Sequence, residues 1–208
     1  MTEVSEIIPG TRAKMRIATA IYENPGIHLT ALIREVKASP NTVLDYVNKL
    51  SSMHVVKQAG LGGRKKVHIR TLFPDLSSER SVIIFSLVEE EKRLRFLEKY
   101  RHLMPYVGQL CDLLGKKAEF ALIYGSYARL AADKTSDIDL LVAGGLDSKV
   151  RERIREIFAT SDAELSMKIE TLRQFRRNRD KPLYQNIMKE HVVVFGSFNF
   201  VRQLSPPA

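Results

Sequence analysis

Residues 119–142 read Glu-Phe-Ala-Leu-Ile-Tyr-Gly-Ser-Tyr-Ala-Arg-Leu-Ala-Ala-Asp-Lys-Thr-Ser-Asp-Ile-Asp-Leu-Leu-Val, and no other stretch of the 208 restricts the fold as tightly. Phe120–Tyr124 is an apolar run of strand length that Gly125-Ser126 breaks, and Tyr127–Ala132 then favours a short helix. A strand turning through Gly-Ser into a helix presents backbone N–H groups whose unsatisfied donors attract phosphate. Glycine matters there because a side chain would hold the phosphate away from the backbone. Ten residues separate Ser126 from Asp137-Ile138-Asp139, which opens a second apolar run ending at Val142. Alternate residues of a strand share a face, about 6.6–7 Å apart. Ile138, Leu140 and Val142 therefore point into a core, and Asp137 and Asp139 share the other face. Two carboxylates so placed suit a divalent cation such as Mg²⁺, which prefers carboxylate, phosphate and water oxygens.

The rest of the C-terminal part continues the alternation of short strands and helices. A helix is expected over Lys149–Phe158, followed by an alternating strand over Ala163–Glu170. On that strand Glu164, Ser166 and Lys168 share one face, and Leu165, Met167 and Ile169 the other. Glu170 is assigned to the Leu165 face, as a strand-end or helix-capping residue. Arg173, Arg176, Arg177, Arg179 and Lys181 form a dense basic stretch suited to a triphosphate tail or a nucleic-acid acceptor, or simply to a solvated helix face. Leu183–Lys189 reads as helical and His191–Gly196 as a closing strand.

The first 75 residues have a different character. Thr11–Glu23 is an amphipathic helix stopped by Asn24-Pro25-Gly26, and Thr30 is expected to cap a short second helix. A third helix begins at Ser39-Pro40, with Ser39 as N-cap and Pro40 in the first turn, where its missing N–H costs nothing. Val43, Val47 and Leu50 form its inner face. Two extended runs, His54–Gln58 and Arg64–Arg70, flank Gly60-Leu61-Gly62-Gly63 and predict a β-hairpin. From Lys57 to Arg70 the chain carries five basic residues and no acidic one.

Charge divides the chain in the same places. Residues 1–75 hold eleven Lys/Arg and six Asp/Glu, residues 76–115 six of each, and residues 116–208 sixteen and twelve. The middle is expected to be mainly one helix over Ser81–Leu103, supported by Glu89/Arg93 and Glu91/Arg95 pairs, with Ile84, Leu87, Val88, Leu94 and Leu97 as its stripe. Pro105 interrupts it, and a second helical stretch runs to Leu114. This middle is read as a spacer or as the contact of a homodimer. The single cysteine, Cys111, excludes an internal disulfide and a cysteine zinc site, and its apolar neighbours mark a core thiol. No apolar run approaches the roughly 20 residues of a membrane helix, and no signal peptide is visible at the N-terminus. The expected setting is cytoplasmic, without membrane contact. The +9 net charge favours a polyanionic partner.

Three helices followed by a basic hairpin resemble the winged helix-turn-helix family over about residues 10–73. The resemblance makes helix 39–52 the recognition helix, with Asn41, Thr42, Asp45, Tyr46 and Lys49 outward. It makes the hairpin a wing whose Arg64, Lys65 and Lys66 meet the phosphates of DNA or RNA. The Gly125-Ser126 and Asp137-Ile138-Asp139 pair resembles the nucleotidyltransferase superfamily of the DNA polymerase β type. It is closest to the minimal nucleotidyltransferases with a GSxARG-like start, of which Gly125, Ser126, Ala128 and Arg129 match while Leu130 replaces the usual glycine. This resemblance implies an NTP substrate, expected to be ATP, with two Mg²⁺ ions, and transfer of a nucleoside monophosphate with release of pyrophosphate. Gly125 and Ser126 would bind the triphosphate, and Asp137 and Asp139 the metal. Arg129 would either contact phosphate or form a salt bridge. The third acid of such sites lies on a neighbouring strand, where it binds metal and helps deprotonate the acceptor hydroxyl. Glu164 is the candidate for that place, although an Asp is usual.

The expected fold is α+β. A winged helix over 1–75 precedes a helical linker over 76–115 and a small nucleotidyltransferase α/β domain with a mixed sheet over 116–208. The leading function is a Mg²⁺-dependent nucleotidyltransferase brought to nucleic acid by its winged helix. One alternative is a DNA-binding regulator whose second domain senses nucleotide with weak catalysis. Another is an antitoxin-type interaction protein that modifies or masks a toxin, the acceptor then being a protein hydroxyl.

Overall fold

The computed structural model describes residues 4–60 and 70–205. The chain is α+β and forms two compact units. One ends at Val88 and takes in the chain from Leu204, and the other is Glu89–Gln203. Residues 76–115 are largely helical and are shared between the two.

The first unit contains α1 (Val4–Ile7), α2 (Arg12–Glu23), β1 (Ile27–His28), α3 (Leu29–Glu35), α4 (Pro40–Ser52), β2 (Val56–Gly60) and β3 (Arg70–Pro74). Helix α2 starts where the Thr11 side chain accepts the Lys14 N–H, and it buries Ile17, Ala18 and Ile21. Helix α3 is capped by His28 without a side-chain bond, so Thr30 lies inside its first turn instead of at its cap. Helix α4 starts as its sequence demands: Ser39 accepts from Thr42 N–H at 3.1 Å, and Pro40 occupies the first turn. The three strands form an antiparallel sheet in the order β1-β3-β2. The described part of strand β3 begins at Arg70, which pairs with Gly60, and buries Leu72; the expected extended run Arg64–Arg70 lies, apart from Arg70, outside the described residues. The strand β1, pairing Ile27 with Leu72, has only two residues and no sequence period to announce it.

Helix α5 (Glu79–Lys99) crosses the boundary between the units. Ile84 and Val88 are buried as expected, but Leu94 is 59% exposed, and Phe85 and Phe96, outside the expected stripe, are fully buried as well. One of its two expected charge pairs forms and the other is replaced. Arg95 meets Glu91 at 3.0 Å, whereas Arg93 meets Glu90 at 3.0 Å and leaves Glu89 to Lys92 and His191.

A single 3₁₀ turn, Arg101–Leu103, leads into α6 (Met104–Leu114), with Pro105 in its first turn. The second unit continues with β4 (Ala118–Tyr124), α7 (Gly125–Ala128), β5 (Ile138–Gly144), α8 (Ser148–Phe158), β6 (Leu165–Glu170), α9 (Leu172–Asn178), α10 (Pro182–Lys189), β7 (His191–Phe195) and α11 (Ser197–Leu204). Its sheet runs β6-β5-β4-β7, with β5 and β6 parallel and the other pairs antiparallel, so it is mixed. Alternation sends Ile138, Leu140, Val142, Ile123 and Val192 to one face, where they pack with Phe96, Leu110 and Ile154. Cys111 is half-buried beside that core, donates to the Val194 carbonyl at 3.3 Å, and has its thiol pKa raised by burial. The opposite face takes Phe120, packed edge-on against Phe175 and Phe200. Helix α11 was not foreseen in the sequence.

Candidate functional site

Strands β4 and β5 bring the two halves of the motif together. In their antiparallel register Tyr124 faces Asp139, so the residue after Tyr124 must sit beside the Asp139 side chain. Gly125 has φ +72°, in the left-handed region that glycine favours, and a Cβ placed on it would lie 2.3 Å from Asp139 Oδ2. The glycine is required twice, by backbone conformation and by the carboxylate packed against it. The expected helix over 127–132 is instead the short turn α7, which begins at the glycine itself.

Asp139 is half-buried and Asp137 exposed. Burial raises the Asp139 pKa, a hydrogen bond from Ser166 lowers it, the charge of Asp137 raises it and that of Arg129 lowers it; the net shift is upward. The two aspartates therefore feel each other, and Arg129 lies within electrostatic reach. Arg129 also pairs with Glu190 at 3.2 Å, both side chains being about half exposed, which is a weak tie in water. Tyr124 stands on the same face, its phenol pKa raised by burial and by the neighbouring Asp139 and Tyr184.

Glu164 is placed differently from the expectation. It precedes β6, is exposed, and its carbonyl accepts the Ile138 N–H at 2.7 Å. Among the described residues no group of three His, Cys, Asp or Glu side chains is assembled that could hold a metal ion. The residue of β6 that faces Asp139 is Ser166. Glu170 belongs to the Ser166 face, not the Leu165 face, since even-numbered residues of this strand alternate together. It is buried, and its carboxylate accepts from the Tyr184 hydroxyl at 2.6 Å.

Two of the five basic residues after β6 serve the fold: Arg176 donates to the Gln203 side chain at 2.9 Å and Arg179 to its carbonyl at 3.1 Å. A cleft of about 610 Å³ opens beside Tyr100, Tyr127, Asp133 and Asp162. Tyr127 packs with the Ile138 face of the sheet, so this cleft lies away from the face that carries Asp139.

On α4 of the first unit, Asn41, Thr42, Asp45 and Lys49 are exposed. Thr42 shares a hydrogen bond with Ser39 at 2.8 Å, and Lys49 pairs with Glu6 at 3.1 Å. Tyr46 does not face outward. It is 2% exposed and its hydroxyl donates to the Ile7 carbonyl at 2.7 Å. Val43, Tyr46, Val47 and Leu50 follow the i, i+3, i+4, i+7 stripe, and a buried tyrosine needs one partner for its hydroxyl. Arg64, Lys65 and Lys66 lie outside the described residues.

Among the described residues no helix is long and apolar enough to cross a membrane. No curated protein matches the chain. Residues 110–199 match the family described as Polymerase beta, Nucleotidyltransferase, and residues 12–57 match the one described as Winged helix-turn-helix DNA-binding. The chain thus joins a winged helix-turn-helix domain to a nucleotidyltransferase domain of the polymerase β type.

Proposed function

We propose that the second unit transfers a nucleoside monophosphate from an NTP, with ATP the first to try, to an acceptor hydroxyl. The winged helix would bring the enzyme to DNA or RNA. The observation that supports this reading is the packing of Asp139 against Gly125, which sets the glycine turn of the motif beside one of its two aspartates.

The residues present fit a divalent cation. Asp137 and Asp139 are neighbouring carboxylates, the Ser166 hydroxyl and the Arg129 charge act to lower the Asp139 pKa, and a side chain at position 125 would run into its carboxylate. Asp137 and Asp139 would hold Mg²⁺, which neutralises phosphate charge when bound. The chain's own part is chiefly positioning. Gly125 lets the triphosphate approach the backbone, and the Ser126 N–H and hydroxyl are donors to its oxygens. Arg129, held only by an exposed pair to Glu190, can turn toward phosphate. The acceptor oxygen forms the new bond to the α-phosphorus as the bond to pyrophosphate breaks.

The test is incubation of the full chain with α-labelled NTPs and Mg²⁺, with nucleic acid and protein extracts as acceptors. Wild type should release pyrophosphate and label an acceptor, and Asp139→Asn and Gly125→Ala should lose both. Equal release from all three would reject the assignment.

A further inference from the structure

We propose that Ser166 occupies the place of the third acid, so that this is a two-carboxylate centre built for a single divalent cation. The inference rests on the nucleotidyltransferase reading and narrows it.

The sheet register carries the argument. Parallel pairing of β5 with β6 sets Ser166 opposite Asp139, and antiparallel pairing of β4 with β5 sets Tyr124 opposite Asp139 on its other side. Cross-strand partners project to the same face, so Ser166, Asp139 and Tyr124 form one row. A group on β6 that shared a metal with Asp139 would project from this row. The side chain there is a neutral hydroxyl, set beside Asp139 by the register and acting to lower the Asp139 pKa. A carboxylate at that position would instead supply the further acidic ligand a second cation needs, and would repel Asp139 when no cation is bound.

The neighbours on the strand do not supply the missing charge. Glu164, two residues earlier, precedes the strand and lies one row away from Ser166 and Asp139, and the described residues assemble no three-donor group. Lys168, two residues later on the same face, is a cation seated over the Tyr184 ring at 4.9 Å. Glu170 is further along and is bonded to Tyr184. Along this face of β6 the residue nearest the Asp139 row is neutral, and the next one inward is positive. Two carboxylates satisfy one hard divalent ion that also takes phosphate oxygens, whereas paired ions need further acidic ligands. Transfer then proceeds without a β6 carboxylate to receive the acceptor's proton, which leaves to solvent.

The experiment counts bound Mn²⁺, a paramagnetic substitute for Mg²⁺, by electron paramagnetic resonance. It uses the full chain saturated with non-hydrolysable α,β-methylene NTPs, in wild type, Ser166→Ala and Ser166→Asp. One ion per chain is expected in wild type and in Ser166→Ala, and Ser166→Asp should gain a second, tightened by about tenfold or more. Two tightly bound ions in wild type would overturn the proposal, even if Ser166→Asp failed to fold. A wild-type chain that binds none of the four nucleotides would instead overturn the nucleotidyltransferase reading beneath it. Folded Ser166→Asp that stays at one ion would also sink the assignment, since the side chain would then not reach the site.

Discussion

The imidazole of His191 meets the carboxylate of Glu89 at 3.0 Å, and both side chains are essentially sealed from solvent. The other ring nitrogen, Nδ1, faces the Ile187 carbonyl at 2.9 Å and so must donate to it. His191 opens β7 and Glu89 sits on α5, so the pair ties the far strand of the mixed sheet to a helix. Removing one partner of a buried pair leaves the other without compensation, at a cost of about 3–5 kcal/mol. Glu89→Ala is expected to lose about that much, and Glu89→Gln, which keeps an acceptor, distinctly less. Urea unfolding followed by circular dichroism separates them, and equal midpoints would show that the pair contributes nothing.

Leu130 stands at the position where the related motif carries glycine, and its φ is +57°. A non-glycine residue in the left-handed region costs roughly 1–2 kcal/mol. Leu130 is 37% exposed, so its side chain recovers only part of that through burial. Leu130→Gly should therefore unfold at the same temperature or higher, and Leu130→Val at a lower one. A clear destabilisation by glycine would mean that the leucine side chain is held for its contacts.

Asp75 gives the first unit a dependence on acid. Burial pushes its carboxyl pKa up, but hydrogen bonds from Ser77 and Lys57 outweigh burial and the net shift is downward, with Lys57 at 2.9 Å. With the folded value below the unfolded one, the unfolded chain takes up the proton first as the solution is acidified. The stabilisation is complete above the ordinary carboxylate range and is lost as pH falls below about 4 toward the folded value. Asp75→Asn should remove that part of the acid dependence. An unchanged slope of stability against pH in the variant would refute the assignment.

The outward face of α4 and its inward tyrosine should separate cleanly. Asn41→Ala and Thr42→Ala are expected to weaken binding to duplex DNA at low salt by several-fold without altering the unfolding midpoint. Tyr46→Phe should do the reverse, leaving affinity unchanged while removing the bond to Ile7, at about 1 kcal/mol. Loss of DNA affinity in Tyr46→Phe alone would reverse this division of labour. Fluorescence anisotropy with a labelled duplex reads both.

The glycine turn after an apolar run and the alternation through Asp137 and Asp139 were legible because each depends on local rules, whereas the approach of Gly125 to Asp139 was expected only from the family resemblance, since the β4–β5 register sets it. Ser39-Pro40 was legible from local rules as well. Tyr46 was placed outward with the other residues the winged-helix resemblance assigns to the recognition face, although it falls at i+3 in the stripe of Val43, Val47 and Leu50. Glu164 was chosen for its charge, whereas the partner of Asp139 is decided by how β6 aligns with β5, and register between distant strands has no signature within either strand. Glu89 looked like a surface residue because a run of three acids on a helix usually is. Only the arrival of His191, a hundred residues later, explains its burial.

The backbone ladder between β4 and β5, and not the intervening residues 129–136, sets the distance from the glycine turn to the aspartates. Beyond Arg129, that connecting segment can change in length or sequence while Gly125 and Asp139 stay in contact, held by the paired strands.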